Sequence, residues 1–111
     1  FYQTAFGWET NQMGPEMGNY IVVTTSPVDE NRMVKAPGTI NGGFYPKTEN
    51  PLQQHPSIVI SVDDINESIE KVKAAGGKIE THPVEIPGIG MYVTITDTEG
   101  NHVSLLQPKK M

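Results

Sequence analysis

The 111 residues suffice for one domain with a real core, and 36% hydrophobic against 19% charged residues is an ordinary globular balance. A formal net charge of −5, with Lys109-Lys110 the one adjacent basic pair, argues against a nucleic-acid or anionic-membrane partner, since both need positive potential. The absence of cysteine excludes disulfides, thiolate catalysis and Cys-ligated zinc, and with no signal or membrane-length apolar segment in these residues the expected place is the cytoplasm.

In chain order, Phe1, Tyr2, Ala5 and Phe6 form a helical apolar pattern that Gly7 breaks, as in the last turns of a helix. Trp8 to Met13 reads as a short edge strand, and Met13 to Asn19 has turn chemistry throughout. Tyr20 to Thr25 is a strand on its β-branched content. Ser26 to Gly38 is a long polar loop with the character of a flap. Thr39 to Tyr45 is a strand weakened by Gly42-Gly43, a pattern that often marks a bulge or a ligand or backbone coming close. Residues 47–56 form a linker that Pro51 and Pro56, with Pro46 before it, keep out of helix and sheet.

The best-marked stretch follows. Ser57 to Val62 is an apolar strand that runs through Asp63-Asp64 into a helix ending at Gly76-Gly77. Asp63 or Asp64 serves as N-cap, with Glu67 placed for a capping box. Ile65, Ile69, Val72 and Ala75 form the apolar stripe, and Gly76 is the left-handed stop. Lys78 to Val84 is the next strand, Glu85 to Gly90 a loop, and Met91 to Thr96 with His102 to Gln107 a hairpin closed by Asp97 to Asn101. The second half therefore reads βαβββ. The first half reads as the same unit without its leading strand and part of its helix, so the expected organisation is one α+β domain of two modules. Their ranges are 1–50 and 57–108.

Strand alternation assigns faces. Ile58, Ile60, Val62, Val93, Ile95, Val103 and Leu105 should meet the helix, while Ser57, Val59, Ser61, Tyr92, Thr94, Thr96, Ser104 and Leu106 point the other way. That mixed face reads either as the polar outside of an ordinary sheet or as one wall of a ligand cleft between the modules. In the second case Ser57, Val59, Ser61, Tyr92, Thr94, Ser104 and Leu106, with Gly42 and Tyr45 of the first module, are the expected ligand-binding residues.

Phe6-Gly7-Trp8, Gly42-Gly43-Phe44-Tyr45, Ser61-Val62-Asp63-Asp64-Ile65, Ala74-Ala75-Gly76-Gly77-Lys78, Ile86-Pro87-Gly88-Ile89-Gly90 and Asp97-Thr98-Glu99-Gly100-Asn101 occur in this order. Together they resemble the glyoxalase/bleomycin-resistance/dioxygenase (vicinal oxygen chelate) superfamily, above all its small glyoxalase-like members. The resemblance implies paired βαβββ modules in a curved mixed sheet around a cleft. In metal-using members it implies four ligands, typically His or Glu, around a divalent ion. The positions that match are Ser57, Ser104 and the neighbourhood of Gly42, with the fourth on the leading strand, and hydroxyls and a glycine are poor ligands for such an ion.

No cofactor or divalent metal is therefore expected. His55 and His102 each lie two residues before a ligand position, and parallel first and last strands would bring them together as a displaced two-histidine metal site or pH-sensitive pair. They read more simply as solvated loop residues. The resulting expectation is a small-molecule-binding protein of glyoxalase type, assembled as a homodimer through the open edge at Thr39 to Tyr45. The alternatives are a metal-dependent lyase, isomerase or dioxygenase using His55 and His102, and a structural or regulatory module with an empty cleft.

Overall fold

The computed structural model describes residues 1–15, 19–30 and 34–109. Its mixed α+β chain gathers into two compact units, Phe1–Thr48 and a second that begins at Glu49.

In the N-terminal unit, α1 (Tyr2–Phe6) stops at Gly7, whose φ of 71° is the left-handed conformation that closes a helix. β1 (Glu9–Gln12), β2 (Ile21–Thr24) and β3 (Gly42–Phe44) follow as an antiparallel sheet in that order. The turn between β1 and β2 closes with Met13 N donating to the Tyr20 carbonyl at 2.7 Å, while residues 16–18 of the expected turn lie outside the described residues. The long loop after β2 carries a bridge between Val28 and Val34, and residues 31–33 of the expected flap also lie outside the described set.

β3 is shorter than the sequence suggests. Asn41 leaves the ladder because its side-chain oxygen accepts from the amides of Thr25 (2.7 Å) and Ser26 (3.0 Å), and its Nδ2 donates to the Ser26 carbonyl. The group close to Gly43 is a side chain rather than the ligand or backbone the glycine pair suggests: a Cβ there would overlap the Tyr20 hydroxyl.

The C-terminal unit opens with a correction to the linker. Asn50 caps a 3₁₀ turn at Pro51–Gln53, its side chain accepting from the Leu52 amide at 3.0 Å. Proline that forbids a helix interior is well suited to a first helical position, where its missing N–H has no partner to lose.

β4 (Val59–Ser61) then runs parallel to β8 (His102–Pro108), which pairs antiparallel with β7 (Gly90–Thr96). The expected single strand after the helix is two short ones, β5 (Lys78–Ile79) and β6 (Val84–Ile86), both on the far edge of β7. Between them Pro83 has no amide to donate, and the Thr81 hydroxyl takes the Thr94 amide at 3.0 Å in place of a ladder bond.

α2 (Ile65–Ala74) covers one face. Asp64 is the N-cap, its Oδ1 accepting from the Glu67 amide at 3.1 Å, but the other half of the expected capping box is replaced by a Glu67–Lys71 ion pair. The Ile65 amide, another orphan of the first turn, donates to Gln107 Oε1 of β8 at 2.8 Å and so ties the helix start to the sheet. At the other end Gly76, with φ of 96°, lets the chain turn back so that Gly77 donates to Val72.

Ile65 and Ile69 pack with Val93, Ile95 and Leu105 as the buried core, flanked by Val62, Val72, Ile79, Met91 and Val103. Two residues assigned to that face are not part of it. Ile58 is 61% and Ile60 42% exposed, because β4 is the sheet's edge. Ala75, last of the predicted stripe, is exposed as well.

Candidate functional site

The β7/β8 register sets Tyr92 opposite Leu106, Thr94 opposite Ser104 and Thr96 opposite His102, on the face turned away from the Val93–Leu105 and Ile95–Val103 pairs of the core. Parallel pairing brings Val59 beside Ser104 and Ser61 beside Leu106. Six of the residues expected to bind ligand thus share one face: Val59, Ser61, Tyr92, Thr94, Ser104 and Leu106. Ser57 lies just before β4, where its hydroxyl donates to the His102 carbonyl at 3.3 Å. Gly42 and Tyr45 belong to the N-terminal unit, Gly42 opening β3 and Tyr45 following it.

The hydroxyls on this face are linked to one another. Tyr92 Oη and Ser104 Oγ are 2.6 Å apart and Thr94 Oγ1 is 3.5 Å from the same serine. Ser104 is 3% exposed, so Tyr92 and not the serine is the polar group on the accessible side. Val59 and Ser61 are exposed; Tyr92, Thr94 and Leu106 are half-buried.

One register step along the hairpin lies a second polar chain that the sequence reading did not anticipate. The Thr96 hydroxyl donates to Glu80 Oε1 at 2.8 Å, and His102 Nδ1 lies 3.0 Å from the same Thr96 oxygen. Lys78 Nζ is 3.6 Å from Glu80 Oε1. The Thr96 hydrogen bond foremost, and the Lys78 ammonium with it, hold the Glu80 carboxyl below the ordinary carboxylate range against the opposing effect of desolvation. The signal that would have found the Thr96–His102 part of this chain is the hairpin register: a five-residue turn from Asp97 to Asn101 makes them a facing pair.

His102 also lines a pocket of about 380 Å³ at this end of the sheet. Pro51, Leu52 and Pro56 supply apolar walls, and His55, Ser57 and Asn101 its other polar groups. Both histidines thus contribute to one lining. The turn that carries Asn101 is held by Asp97, whose Oδ1 accepts from the amides of Glu99 and Asn101, both at 2.9 Å, while Oδ2 accepts from Asn101 Nδ2 at 3.1 Å. These bonds, the Asn101 amide's first, depress the Asp97 carboxyl.

Among the described residues no three His, Asp or Glu side chains converge where they could hold a metal ion, and of the positions matching family ligands Ser104 is hydrogen-bonded to Tyr92. No helix among the described residues is long and apolar enough to cross a membrane.

Comparison with known proteins places the fold in a family. A glyoxylase-like domain-containing protein of Didymella fabae is 31% identical over 114 residues, covering 99% of this chain and 83% of that one. CFP32 of Mycobacterium tuberculosis, a protein with a provisional glyoxylase name, is 30% identical over 77 residues; the match takes in 69% of this chain but 30% of CFP32's length. Among solved structures, a glyoxalase family protein from Bacillus cereus aligns at a TM-score of 0.48 with 16% identity, covering 89% of this chain and 78% of that one. The antibiotic-binding protein TnmS3 from Streptomyces sp. CB03234 aligns at 0.42 with 18% identity, over 98% of this chain and 82% of that one. The family model for the Glyoxalase/Bleomycin resistance protein/Dioxygenase superfamily matches residues 1–105, nearly the whole sequence, and the chain belongs to that superfamily.

Proposed function

We propose that this chain binds a small organic molecule in its C-terminal unit, using the pocket beside β4 and β8 and the open face that continues from it. The observation that carries this reading is the pocket's composition. Its lining combines the apolar Pro51, Leu52 and Pro56 with the polar His55, Ser57, Asn101 and His102, and its 380 Å³ falls within the range of small-ligand sites. On this reading Tyr92, Thr94, Val59, Ser61 and Leu106 extend the contact surface, and Ser104 acts through its bond to Tyr92.

The reading includes the absence of a bound divalent ion. His55 and His102 offer two nitrogens, whereas stable sites for zinc usually draw at least three protein ligands. Elemental analysis after dialysis without chelator is expected to find far less than one equivalent per chain. One equivalent of zinc, nickel, iron or manganese would replace this reading with the metal-dependent lyase or dioxygenase. A cytoplasmic setting and a homodimer complete the proposal, the dimer because β3 pairs with β2 alone among the described strands and an open edge invites a partner. Sedimentation showing monomer alone at tens of micromolar would remove the dimer.

The binding itself is tested by screening small aromatic and heteroaromatic fragments with amide chemical shifts as readout. Shifts are expected at Ser57, Asn101 and His102, and Ser57→Leu is expected to abolish them while leaving the remaining spectrum in place. Fragments that perturb other regions alone would place the site elsewhere.

A further inference from the structure

Asn41-Gly42 is the one place in this chain where asparagine precedes glycine. Asparagine is among the thermolabile residues, and most so in that setting, because glycine has no Cβ to shield its amide nitrogen from the neighbouring side-chain Cγ. The structure leaves one partner of this pair open and fastens the other. Gly42 is exposed, and a Cβ placed on it would meet nothing within 4 Å.

Asn41, by contrast, is held through its whole side-chain amide. Oδ1 accepts from the amides of Thr25 and Ser26, and Nδ2 donates to the Ser26 carbonyl at 3.0 Å. Beside these bonds the Thr25 hydroxyl donates to the Ile40 carbonyl, and Ser26 Oγ lies 3.0 Å from the Thr39 hydroxyl oxygen. Ser26 is 5% exposed, so the set ties a buried residue just after β2 to the chain just before β3 and closes the base of the segment between them. While the bonds hold, the Asn41 amide is fastened to the Thr25-Ser26 backbone. Its reaction with Gly42 has to wait until they open.

We propose that Asn41-Gly42 is a deamidation site, that the latch to Thr25 and Ser26 sets its pace, and that conversion releases the latch permanently. The Gly42 amide nitrogen gives its proton to solvent and bonds to Asn41 Cγ, the Cγ–Nδ2 bond breaks, and Nδ2 leaves as ammonia. Water then opens the resulting succinimide at either carbonyl, giving aspartate on the original backbone or isoaspartate with its Cβ carried into the main chain. At neutral pH neither product can donate to the Ser26 carbonyl. In the aspartate a carboxylate oxygen takes the place of Nδ2, 3.0 Å from that carbonyl with no hydrogen between them. In the isoaspartate the added main-chain atom also disturbs the register that sets Gly42 opposite Val23. A carbonyl on so buried a residue, left without a donor, destabilises the closed base.

Incubating the full chain at mildly alkaline pH, with peptide mapping for aspartate and isoaspartate, tests the site. Conversion is expected at Asn41 ahead of every other asparagine, and more slowly in the folded chain than in chain unfolded in guanidinium. Gly42→Ala is expected to lose most of it; Gly42 is not left-handed and has room for the methyl group, so that variant should fold as the wild type does. A folded chain in which Asn41 converts no faster than the other asparagines, or a Gly42→Ala chain that converts equally fast, overturns the site. Equal rates folded and unfolded overturn control by the latch. The converted chain is separable by anion exchange on its added negative charge, and its amide hydrogen exchange reads the release. Thr25 and Ser26 are expected to exchange faster than in the unconverted chain, as is Lys35, whose amide donates to the Pro27 carbonyl at 3.1 Å, while the amides of α2 stay as they were. Unchanged exchange at Thr25 and Ser26 overturns the release.

Discussion

In the C-terminal unit a ten-residue helix lies on a five-stranded sheet and buries Ile65 and Ile69 against Val93, Ile95 and Leu105. In the N-terminal unit a five-residue helix accompanies three strands, contributes no buried residue, and leaves Val23 as the one buried hydrophobic side chain among those described. The difference follows from helix length. At 1.5 Å per residue, ten residues give nearly three turns and set Ile65, Ile69 and Val72 along one face, whereas five give little more than one turn and room for a single such pair, Tyr2 and Phe6. The short unit relies on aromatic contact instead: Tyr2 stacks on Trp8 with centroids 5.0 Å apart at 6°, and meets Phe44 at 5.0 Å. Such ring pairs add about 0.5–1.5 kcal/mol each beyond their burial.

Matched core truncations break the comparison most directly. Ile69→Ala is expected to cost about 2–5 kcal/mol, the usual range for removing that much buried side chain. Val23→Ala removes less volume from a thinner core, and a loss of about 1–2 kcal/mol is expected. Urea denaturation followed by backbone NMR would report both, unit by unit. Equal losses at the two sites would mean that the N-terminal unit is packed as tightly as its neighbour and that helix length is not the deciding variable.

The sequence exposed the parts whose physics is local. Asp64 and Gly76 mark the ends of α2 because capping and left-handed turns depend on residues within a few positions, and the Ile65/Ile69 stripe and Val93/Ile95/Leu105 alternation follow from simple periods. Ile58 and Ile60 defeat the same reasoning: alternation gives a strand's two faces but not its place in the sheet, and an edge strand leaves apolar residues exposed. The break between β5 and β6 depends on the Thr81 side chain meeting the Thr94 amide, thirteen residues away. Of the candidate site, the shared face was legible from alternation, and the histidine pair from the order of the strands. Glu80 was not, since its meeting with Thr96 and His102 requires the registers of two pairings at once.

A smaller effect sharpens the role of the helix. Asp64→Ala removes the acceptor for the Glu67 amide and is expected to cost about 1 kcal/mol. Part of the first turn should survive, because the Ile65 amide keeps its bond to Gln107 from the sheet. Gln107→Leu together with Asp64→Ala tests this: the combined loss should be the greater, with helix-start amides exchanging faster than those from Ile69 onward. A double variant no less stable than Asp64→Ala would show that the sheet does not anchor the helix, and the advantage of the C-terminal unit would then lie in its apolar stripe alone.

The smallest expected effect separates the units by acid. The two carboxyls held below their ordinary range, Asp97 and Glu80, both lie in the C-terminal unit. For a carboxyl whose folded value is depressed, the unfolded state binds the proton more tightly, so its stabilising contribution is fully present above the ordinary carboxylate range. That contribution is lost as pH falls from there through the lower folded value. Asp97→Asn keeps an oxygen for the Glu99 and Asn101 amides but turns an amide toward Asn101 Nδ2 and cannot titrate. The stability gap between wild type and Asp97→Asn should therefore narrow as the solution is acidified, and Glu80→Gln should behave alike through the loss of its charged acceptor for Thr96. Denaturation midpoints measured from neutral pH into the acid range read this directly. A gap that stays constant or widens in acid would mean that neither carboxylate favours the folded turn or the His102 chain, and the C-terminal unit would owe its stability to its apolar core without them.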